Sequence, residues 1–548
     1  MLTMRNRAMK KSKNFKMKKI AILLLCVMFL TACGDKKQTA ENTGKTESGA
    51  KPNIVFIFSD DLSFRDLSIY GQENYKTPNI DALIASSTRF TQGYAGAPEC
   101  APSRGTLLTG LHVGHQPIRL NSSARGFEPL PDGLYTFPKM LQKAGYKTGV
   151  VGKWGLGYKD TSGNPLDQGF DYHFGFLTHY EAHSYFPRVL YENNVDVLYP
   201  ENNAFDIEQL YVKNKYQDNS KFEQHYDENG KLVYMDMEKA AYAPDLFDAK
   251  ASAFIDKNKA NPFLLYFTTN LPHGPTIVDD FRQLKDRKDM DIYGREWGAM
   301  VQRLDISVGN LIAKLKEEGL YENTMIVFAS DNGYSMHSPK TVKSGERVWL
   351  DDKDLANKGP FKGGKFGVFE GGMRIPFSIH MPGQTKPLAN SEPVWLVDLF
   401  PTFADFVDVD LEQEVDGYSL LPLIQGDKNA IPKDRQMYFY KQNEQAIRQG
   451  PWFAYREHPK KPLQLFLIEE DQKIERDLAV FYPELADGFT KTLNTIHEPS
   501  EWYWNPGETN EIFKQRVQKA KEMGGEVKRY RPNGMELMPW ESEKFDVK

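Results

Sequence analysis

The chain predicts an α/β layered fold: a large, mainly parallel sheet sandwiched by helices, followed by a smaller C-terminal antiparallel sheet-and-helix subdomain. Three observations carry this expectation. Apolar runs of strand length recur without alternation, the segments between them show helical spacing, and after about residue 430 short strand-like runs follow one another closely. A run that is apolar at every position suits a strand covered on both faces, as in a parallel sheet flanked by helices.

The first such run is Asn53 to Phe58, which leads into Ser59, Asp60 and Asp61. Thr77-Pro78 makes a cap and first-turn pair before a helix expected over Ile80 to Phe90. Thr148 to Gly152 runs into Lys153-Trp154, and Phe263 to Phe267 leads through a short link to His273. Arg295 to Leu320 carries Met300, Leu304, Val308, Leu311, Ile312 and Leu315 on one helical face, with Gly319 near its stop. Met325 to Ala329 then runs into Ser330-Asp331-Asn332-Gly333. Beyond residue 430, Gln436 to Tyr440, Glu444 to Arg448, Trp452 to Tyr455 and Leu463 to Ile468 read as antiparallel strands, with an amphipathic stretch around Pro483 to Ile496. In layered α/β proteins ligands gather at the carboxyl ends of the strands. The polar residues that close these runs fall there, which predicts one site assembled from sequence-distant pieces.

The N-terminus reads as an export signal. Lys10, Lys11, Lys13, Lys18 and Lys19 precede the apolar run Ile20 to Leu30, which ends in Leu30-Thr31-Ala32-Cys33-Gly34. That run is shorter than the roughly 20 apolar residues a membrane span needs. Leu-Thr-Ala-Cys resembles a bacterial lipobox, which implies cleavage before Cys33 and a lipid anchor on its sulfur. The expected organisation is a lipoprotein signal peptide over 1-32, a polar tether over 33-50, a catalytic domain over 51-430 and the subdomain over 431-548, with export to the bacterial cell envelope. A net charge of -5 argues against nucleic acid as a partner held by phosphate neutralisation. Aromatics make up 13% of the chain, which suits stacking on sugar rings, although core packing is their default use.

Of three cysteines, Cys26 and Cys33 belong to the leader, so the folded body keeps one thiol, Cys100, with no intrachain partner. It opens Cys100-Ala101-Pro102-Ser103-Arg104-Gly105-Thr106-Leu107-Leu108-Thr109-Gly110. This run resembles the signature of the type I sulfatases, of the alkaline-phosphatase-like superfamily. The resemblance implies that Cys100 is oxidised to Cα-formylglycine by a formylglycine-generating or sulfatase-maturing enzyme, and that the hydrated aldehyde is the nucleophile.

Adjacent carboxylates at a strand end repel unless a cation lies between them. Asp60, Asp61, Asp331 and Asn332 offer oxygen donors only, and no His or Cys pair shows zinc spacing, so a hard ion is expected, Ca2+ ahead of Mg2+. The same four residues match the family's metal ligands, and an oxygen of the modified Cys100 completes the shell. Arg104, Lys153 (in Gly152-Lys153-Trp154-Gly155-Leu156-Gly157) and Lys365 (in Gly363-Gly364-Lys365-Phe366-Gly367) match family cations that hold the sulfate. His273, in Leu271-Pro272-His273-Gly274-Pro275, matches the family histidine beside the leaving oxygen, and imidazole titrates near working pH.

One position departs from the family pattern. Many relatives read Gly-Lys-Trp-His-Leu-Gly, and that His serves as a base for sulfate release, but this chain has Gly155. His183, in Ala182-His183-Ser184-Tyr185-Phe186-Pro187, is nominated as its replacement, while His115, His179 and His337 read as structural or rim residues. The resulting expectation is hydrolysis of sulfate esters, on sulfated carbohydrates. Two alternatives stay open: a phosphoester or phosphonate hydrolase of the same superfamily, and a catalytically inactive surface lipoprotein that binds sulfated glycans. Segments around 110-130, 180-240 and 335-360 are expected to contact the sugar.

Overall fold

Strand β1 (Asn53–Ser59) is buried at every position, and this two-sided apolarity puts it in the middle of a sheet. The computed structural model describes residues 51–204, 225–233, 236–274, 276–335, 339–340, 348–349 and 357–523, within a compact unit that spans Ala50–Lys548. The expected signal peptide, lipobox and tether lie outside the described residues, as do His337 and much of the expected sugar-contacting segments. Among the described residues no helix is long and apolar enough to cross a membrane.

The remaining strands of the large sheet are β2 (Thr88–Tyr94), β3 (Lys147–Lys153), β4 (Tyr172–Phe176), β5 (Val189–Glu192), β6 (Val195–Leu198), β7 (Phe263–Thr268) and β8 (Thr324–Ser330). A separate two-stranded pair joins β9 (Pro339–Lys340) to β10 (Val348–Trp349), and β11 (Arg374–His380), β12 (Leu388–Asn390) and β13 (Val394–Trp395) return to the large sheet. Its order is β12-β2-β11-β8-β1-β7-β3-β4-β5-β6, with β13 also on β2, eleven strands among the described residues. The central stretch β8-β1-β7-β3-β4 is parallel throughout. Antiparallel neighbours flank it, β11 on one side and β5 on the other. Register sets the strand ends level: Ser59 pairs with Ser330, Phe58 and Gly152 with Thr268, and Lys153 with Phe176. Every sequence element that leaves those ends therefore enters one shared space.

Alternate residues of β1 feed two cores. Ile54, Phe56 and Phe58 pack on the side of Leu107, Leu108, Met140, Leu141 and Phe403. Val55 and Ile57 pack on the side of Ile80, Phe247, Ile255, Met300 and Leu304. Full burial of each such side chain contributes about 1.5–3 kcal/mol.

Most expected strands appear within a residue or two of their expected bounds. The helix expected over Ile80 to Phe90 does not: it spans Pro78–Ala85 and ends where Ser87 donates its hydroxyl to the Leu83 carbonyl at 2.6 Å. Thr88, Phe90 and Tyr94 then form β2, because the flank of β11 offers a strand partner that local periodicity cannot see. The long helix spans Ile292–Glu317, starting earlier than expected because the Asp291 side chain accepts from the Tyr293 N–H.

The C-terminal sheet is antiparallel, in the order β14 (Met437–Lys441), β15 (Glu444–Gln449), β16 (Trp452–Arg456) and β17 (Gln464–Leu467). Helices Pro483–Leu493 and Asn510–Glu522 follow. Arg448 ties this sheet to β2, bonding the Tyr94 hydroxyl at 3.3 Å and Gln92 at 2.7 Å.

Gly152 is a point where side-chain size is decided by backbone. Its φ is +119°, and a Cβ there would lie 2.0 Å from the Thr268 carbonyl oxygen. Gly152→Ala is expected to push β3 from β7 and to cost about 2 kcal/mol or more, read as a lowered urea midpoint.

Candidate active site

The carboxyl ends of the parallel strands deliver the acidic residues. Asp60 and Asp61 follow β1, and Asp331 and Asn332 follow β8. The Asp331 N–H donates to the Ser59 carbonyl at 3.1 Å, and the Asp61 N–H donates to Asp331 Oδ1 at 3.1 Å, so each strand end fixes the other. Asp61 has a φ of 64°, a left-handed conformation uncommon for a residue with a Cβ and typical of functional sites held by their surroundings. Asp60, Asp61, Asp331 and Asn332 are all fully buried.

Cys100 is the first residue of helix Cys100–Thr109, where the unpaired N–H groups favour negative charge. Its Sγ lies 3.6 Å from Asp60 Oδ1 and 3.9 Å from Asn332 Oδ1, and accepts from Lys365 Nζ at 3.3 Å. Burial pushes the thiol up, Lys153 and Lys365 oppose this, and Asp60 and Asp331 add to it. Ligating atoms of Asp60, Asp61, Cys100 and His273 all fall within 4.8 Å of one another.

Three cations surround this cluster. Lys153 Nζ bonds Asp60 Oδ2 at 2.5 Å, and Lys365 Nζ bonds Asp61 Oδ1 at 2.6 Å. Arg104 is 1% exposed and grips Asp331 Oδ2 through Nε at 3.1 Å and Nη2 at 2.9 Å. Its Nη1 donates to the Lys153 carbonyl at 2.8 Å and to Thr268 Oγ1 at 2.5 Å. Burial lifts Asp331 to about 6, with Asp60 adding to the rise and Arg104 opposing it. Three carboxylates and three cations thus pair off one to one, Lys153 with Asp60, Lys365 with Asp61 and Arg104 with Asp331.

His273 faces the same space. Its Nε2 lies 3.5 Å from Asp61 Oδ2 and 3.0 Å from Lys365 Nζ. The loop is held from behind: the Tyr185 hydroxyl contacts the Asn270 and His273 carbonyls at 2.6 and 2.7 Å, and Asn270 Nδ2 donates to the Ala182 carbonyl at 2.8 Å. His183 stacks on His273 with ring centroids 4.6 Å apart and planes 14° from parallel.

All the residues named from the sequence therefore share one region: Asp60, Asp61, Cys100, Arg104, Lys153, Asp331, Asn332 and Lys365 in the buried cluster, His273 at its edge and His183 behind His273. His183 stacks on His273, whereas the histidine with an atom beside Gly155 is His179. The Gly155 φ is +83°, and a Cβ there would lie 3.5 Å from Arg104 Cδ, 3.7 Å from His179 Cβ and 4.0 Å from Lys153 Cε. Sequence reading missed two supports, Thr268 and Tyr185. Thr268 closes the apolar run of β7, and Tyr185 lies inside the element quoted for His183, so position was legible there but not role.

His115 belongs elsewhere. Its Nδ1 lies 2.9 Å from Asp416 Oδ2, and its ring stacks on His112 at 3.8 Å. His112 Nδ1 accepts from the Gly114 N–H at 3.0 Å, so the proton of a neutral His112 sits on Nε2.

Comparison with known proteins gives the family. A family model described as Sulfatase matches residues 52–409, and one described as N-sulphoglucosamine sulphohydrolase, C-terminal matches 364–468. The chain is 26% identical over 518 residues to N-acetylgalactosamine-6-O-sulfatase of Bacteroides thetaiotaomicron, covering 86% of this chain and 98% of that protein. It is 31% identical over 444 residues to human Arylsulfatase H, covering 71% of this chain and 75% of the relative. The crystal structure of Ps i-CgsB in complex with k-i-k-neocarrahexaose superposes with a TM-score of 0.67 at 26% identity, covering 87% of this chain and 100% of that one. A thiol seated on a helix start among carboxylates and cations, on a mainly parallel sheet of alkaline-phosphatase-like type, thus coincides with the matched region, and the chain belongs to the sulfatase family, whose enzymes hydrolyse sulfuric esters.

Proposed function

We propose that this enzyme removes sulfate from sulfated carbohydrates, with a formylglycine made from Cys100 as nucleophile and Ca2+ as metal. The observation that carries the reading is the seat of Cys100: Sγ within 3.9 Å of Asp60 and Asn332 oxygens, with Lys365 Nζ at 3.3 Å. The donor set fits a hard ion. Asp60, Asp61, Asp331 and Asn332 offer oxygen, the soft thiol sulfur is the one mismatch, and conversion of Cys100 to an oxygen-bearing side chain removes it. The raised Asp331 carboxyl is what a divalent ion would relieve. When present, Ca2+ supplies Lewis acidity toward the ester's sulfuryl oxygens, and the modified Cys100 supplies an oxygen nucleophile.

The chain's own groups do the rest. Arg104, Lys153 and Lys365 fix positive charge around the anion without reorganisation, usually the largest contribution to catalysis. Burial opposes the charge on Lys365, but its anionic neighbours, the Asp61 carboxylate first, hold it above the ordinary lysine range, so its ammonium stays charged. His273, whose Nδ1 donates to the Gly274 carbonyl and whose Nε2 faces Lys365 Nζ, gives the departing alcohol oxygen a proton from Nε2 when doubly protonated. His183 is the proposed stand-in for the histidine replaced by Gly155, and its ring stack on His273 supports a place for it beside the site. The carbohydrate assignment is supported by the names of the Bacteroides relative and of the hexaose complex. The leader supports export and a lipid anchor through Cys33, and the Cys100 motif supports a sulfatase-maturing partner.

Paired assays test the reading: sulfated saccharides should turn over faster than matched phosphate or phosphonate esters, and faster phosphoester turnover would overturn it. Chelation should abolish activity, and Ca2+ should restore it better than Mg2+. His273→Ala should slow a sulfated sugar, a poor leaving group, by about 100- to 10,000-fold, but an aryl sulfate with an acidic phenol far less. Equal losses on both would remove His273 from the role of acid.

A further inference from the structure

We propose that Glu99, Phe366 and Lys441 form the subsite that holds the sugar ring carrying the sulfate, with Lys441 supplied by the C-terminal sheet. The proposal rests on the carbohydrate reading above and adds to it three residues that lie outside every segment expected from the sequence to contact sugar.

Printed contacts link the three to the Cys100 cluster in a closed path. Lys365 Nζ, which reaches Cys100, Asp61 and His273, lies over the Phe366 ring at 5.5 Å from its centroid. Lys441 Nζ lies over the same ring at 5.1 Å and bonds Glu99 Oε1 at 2.9 Å. Glu99 precedes Cys100 in the chain, so the path returns to the nucleophile. Exposure rises along it from Lys365, at 4%, to the Lys441 side chain, at 18%, and Phe366 is half-buried. Phe366 and Lys441 therefore stand on the solvent side of the cluster.

Two local conformations go against what these residues prefer. Glu99 occupies the cap position of helix Cys100–Thr109, where short polar side chains are favoured, yet its carboxylate makes no cap bond and turns to Lys441. Phe366 has a φ of 70°, a left-handed conformation that is an outlier for a bulky residue, fixed where its N–H donates to the Pro98 carbonyl at 2.8 Å. Departures held in place by their surroundings gather at functional sites. Lys441 is held as firmly: it ends β14, and in the turn after it Asn443 Oδ1 accepts from Trp504 Nε1 at 3.2 Å and from the Gly507 N–H at 2.9 Å.

The chemistry suits a sugar. An ammonium has three donors, of which Glu99 takes one, so Lys441 can bond hydroxyl oxygens of a ligand. A carboxylate accepts what a hydroxyl donates, so the pair reads a hydroxyl in both directions. The Phe366 ring gives the apolar surface against which the C–H face of a pyranose packs. Because the pair carries no net charge, it recognises the sugar without competing with Arg104, Lys153 and Lys365 for the sulfate.

Steady-state kinetics on the fastest-cleaved of a set of monosulfated pyranosides, with inorganic sulfate as competing inhibitor, separate the subsite from the cluster. Glu99→Gln/Lys441→Met removes the pair without stranding a charge. It should lower kcat/KM about 10- to 100-fold through KM, with the sulfate inhibition constant within about twofold of wild type. Phe366→Gly should lower kcat/KM about tenfold. It should melt within about 4 °C of wild type, because glycine takes this φ without strain, which keeps the test usable should the double variant fold poorly. Unchanged kcat/KM in either variant, or a sulfate inhibition constant that rises in step with KM, would overturn the subsite. Failure of the carbohydrate reading registers separately, as a wild type that cleaves an aryl sulfate but no pyranoside, and the subsite would then lose its ligand.

Discussion

Cys100→Ala is expected to lower kcat/KM on a sulfated saccharide by about ten-thousand-fold or more, because it deletes the nucleophile rather than a supporting contact. Thermal stability should change little by comparison: the side chain is small, and Lys365 keeps its ion pair with Asp61 at 2.6 Å. The companion measurement is the mass of the Cys100 peptide from active wild-type protein. It should carry an aldehyde or its hydrate in place of the thiol. Fully active protein with an intact thiol would end the formylglycine reading, whatever the variant does.

Arg104→Ala should be the most damaging single change to the fold of the site. Its guanidinium satisfies Asp331, the Lys153 carbonyl and Thr268 at once, and is itself buried. Removing it leaves the Asp331 carboxylate buried without its closest cation, which costs about 3–5 kcal/mol. Urea unfolding of metal-free protein reads this directly. Adding Asp331→Asn should return part of the loss, since the stranded charge goes with it. If the double variant is no more stable than Arg104→Ala alone, the destabilisation comes from lost packing and not from the unpaired carboxylate. Arg104→Lys should fall between, keeping charge but unable to bond three elements together.

Much of this arrangement was legible in the sequence because the physics behind it is local. β1, β3, β7 and β8 announce themselves as apolar runs, and their polar closures, Asp60, Asp61, Lys153, Asp331 and Asn332, are adjacent in sequence to the strands that position them. The Cys100 motif carries its own signature. What stayed hidden depends on partners far along the chain. β2 hides inside an apparent helix because its partner, β11, begins some 280 residues later, at Arg374. The tie of Thr268 to Arg104 spans 164 positions. His179 and His183 lie four residues apart, and both follow β4. Sequence reading chose His183 from a resemblance, while the contacts at Gly155 bring His179 into the same shell as Arg104 and Lys153.

The level strand ends, where Ser59, Thr268, Ser330, Gly152 and Lys153 sit in register, divide the molecule's freedom to evolve. Chemistry is anchored in backbone pairing, so a slip of one residue in any of these strands would scramble nucleophile and cations together. New sugar preferences must therefore come from insertions and substitutions in the loops above that platform. Libraries confined to those loops should yield altered selectivity with the melting behaviour intact, while randomising the platform should return mostly unfolded protein.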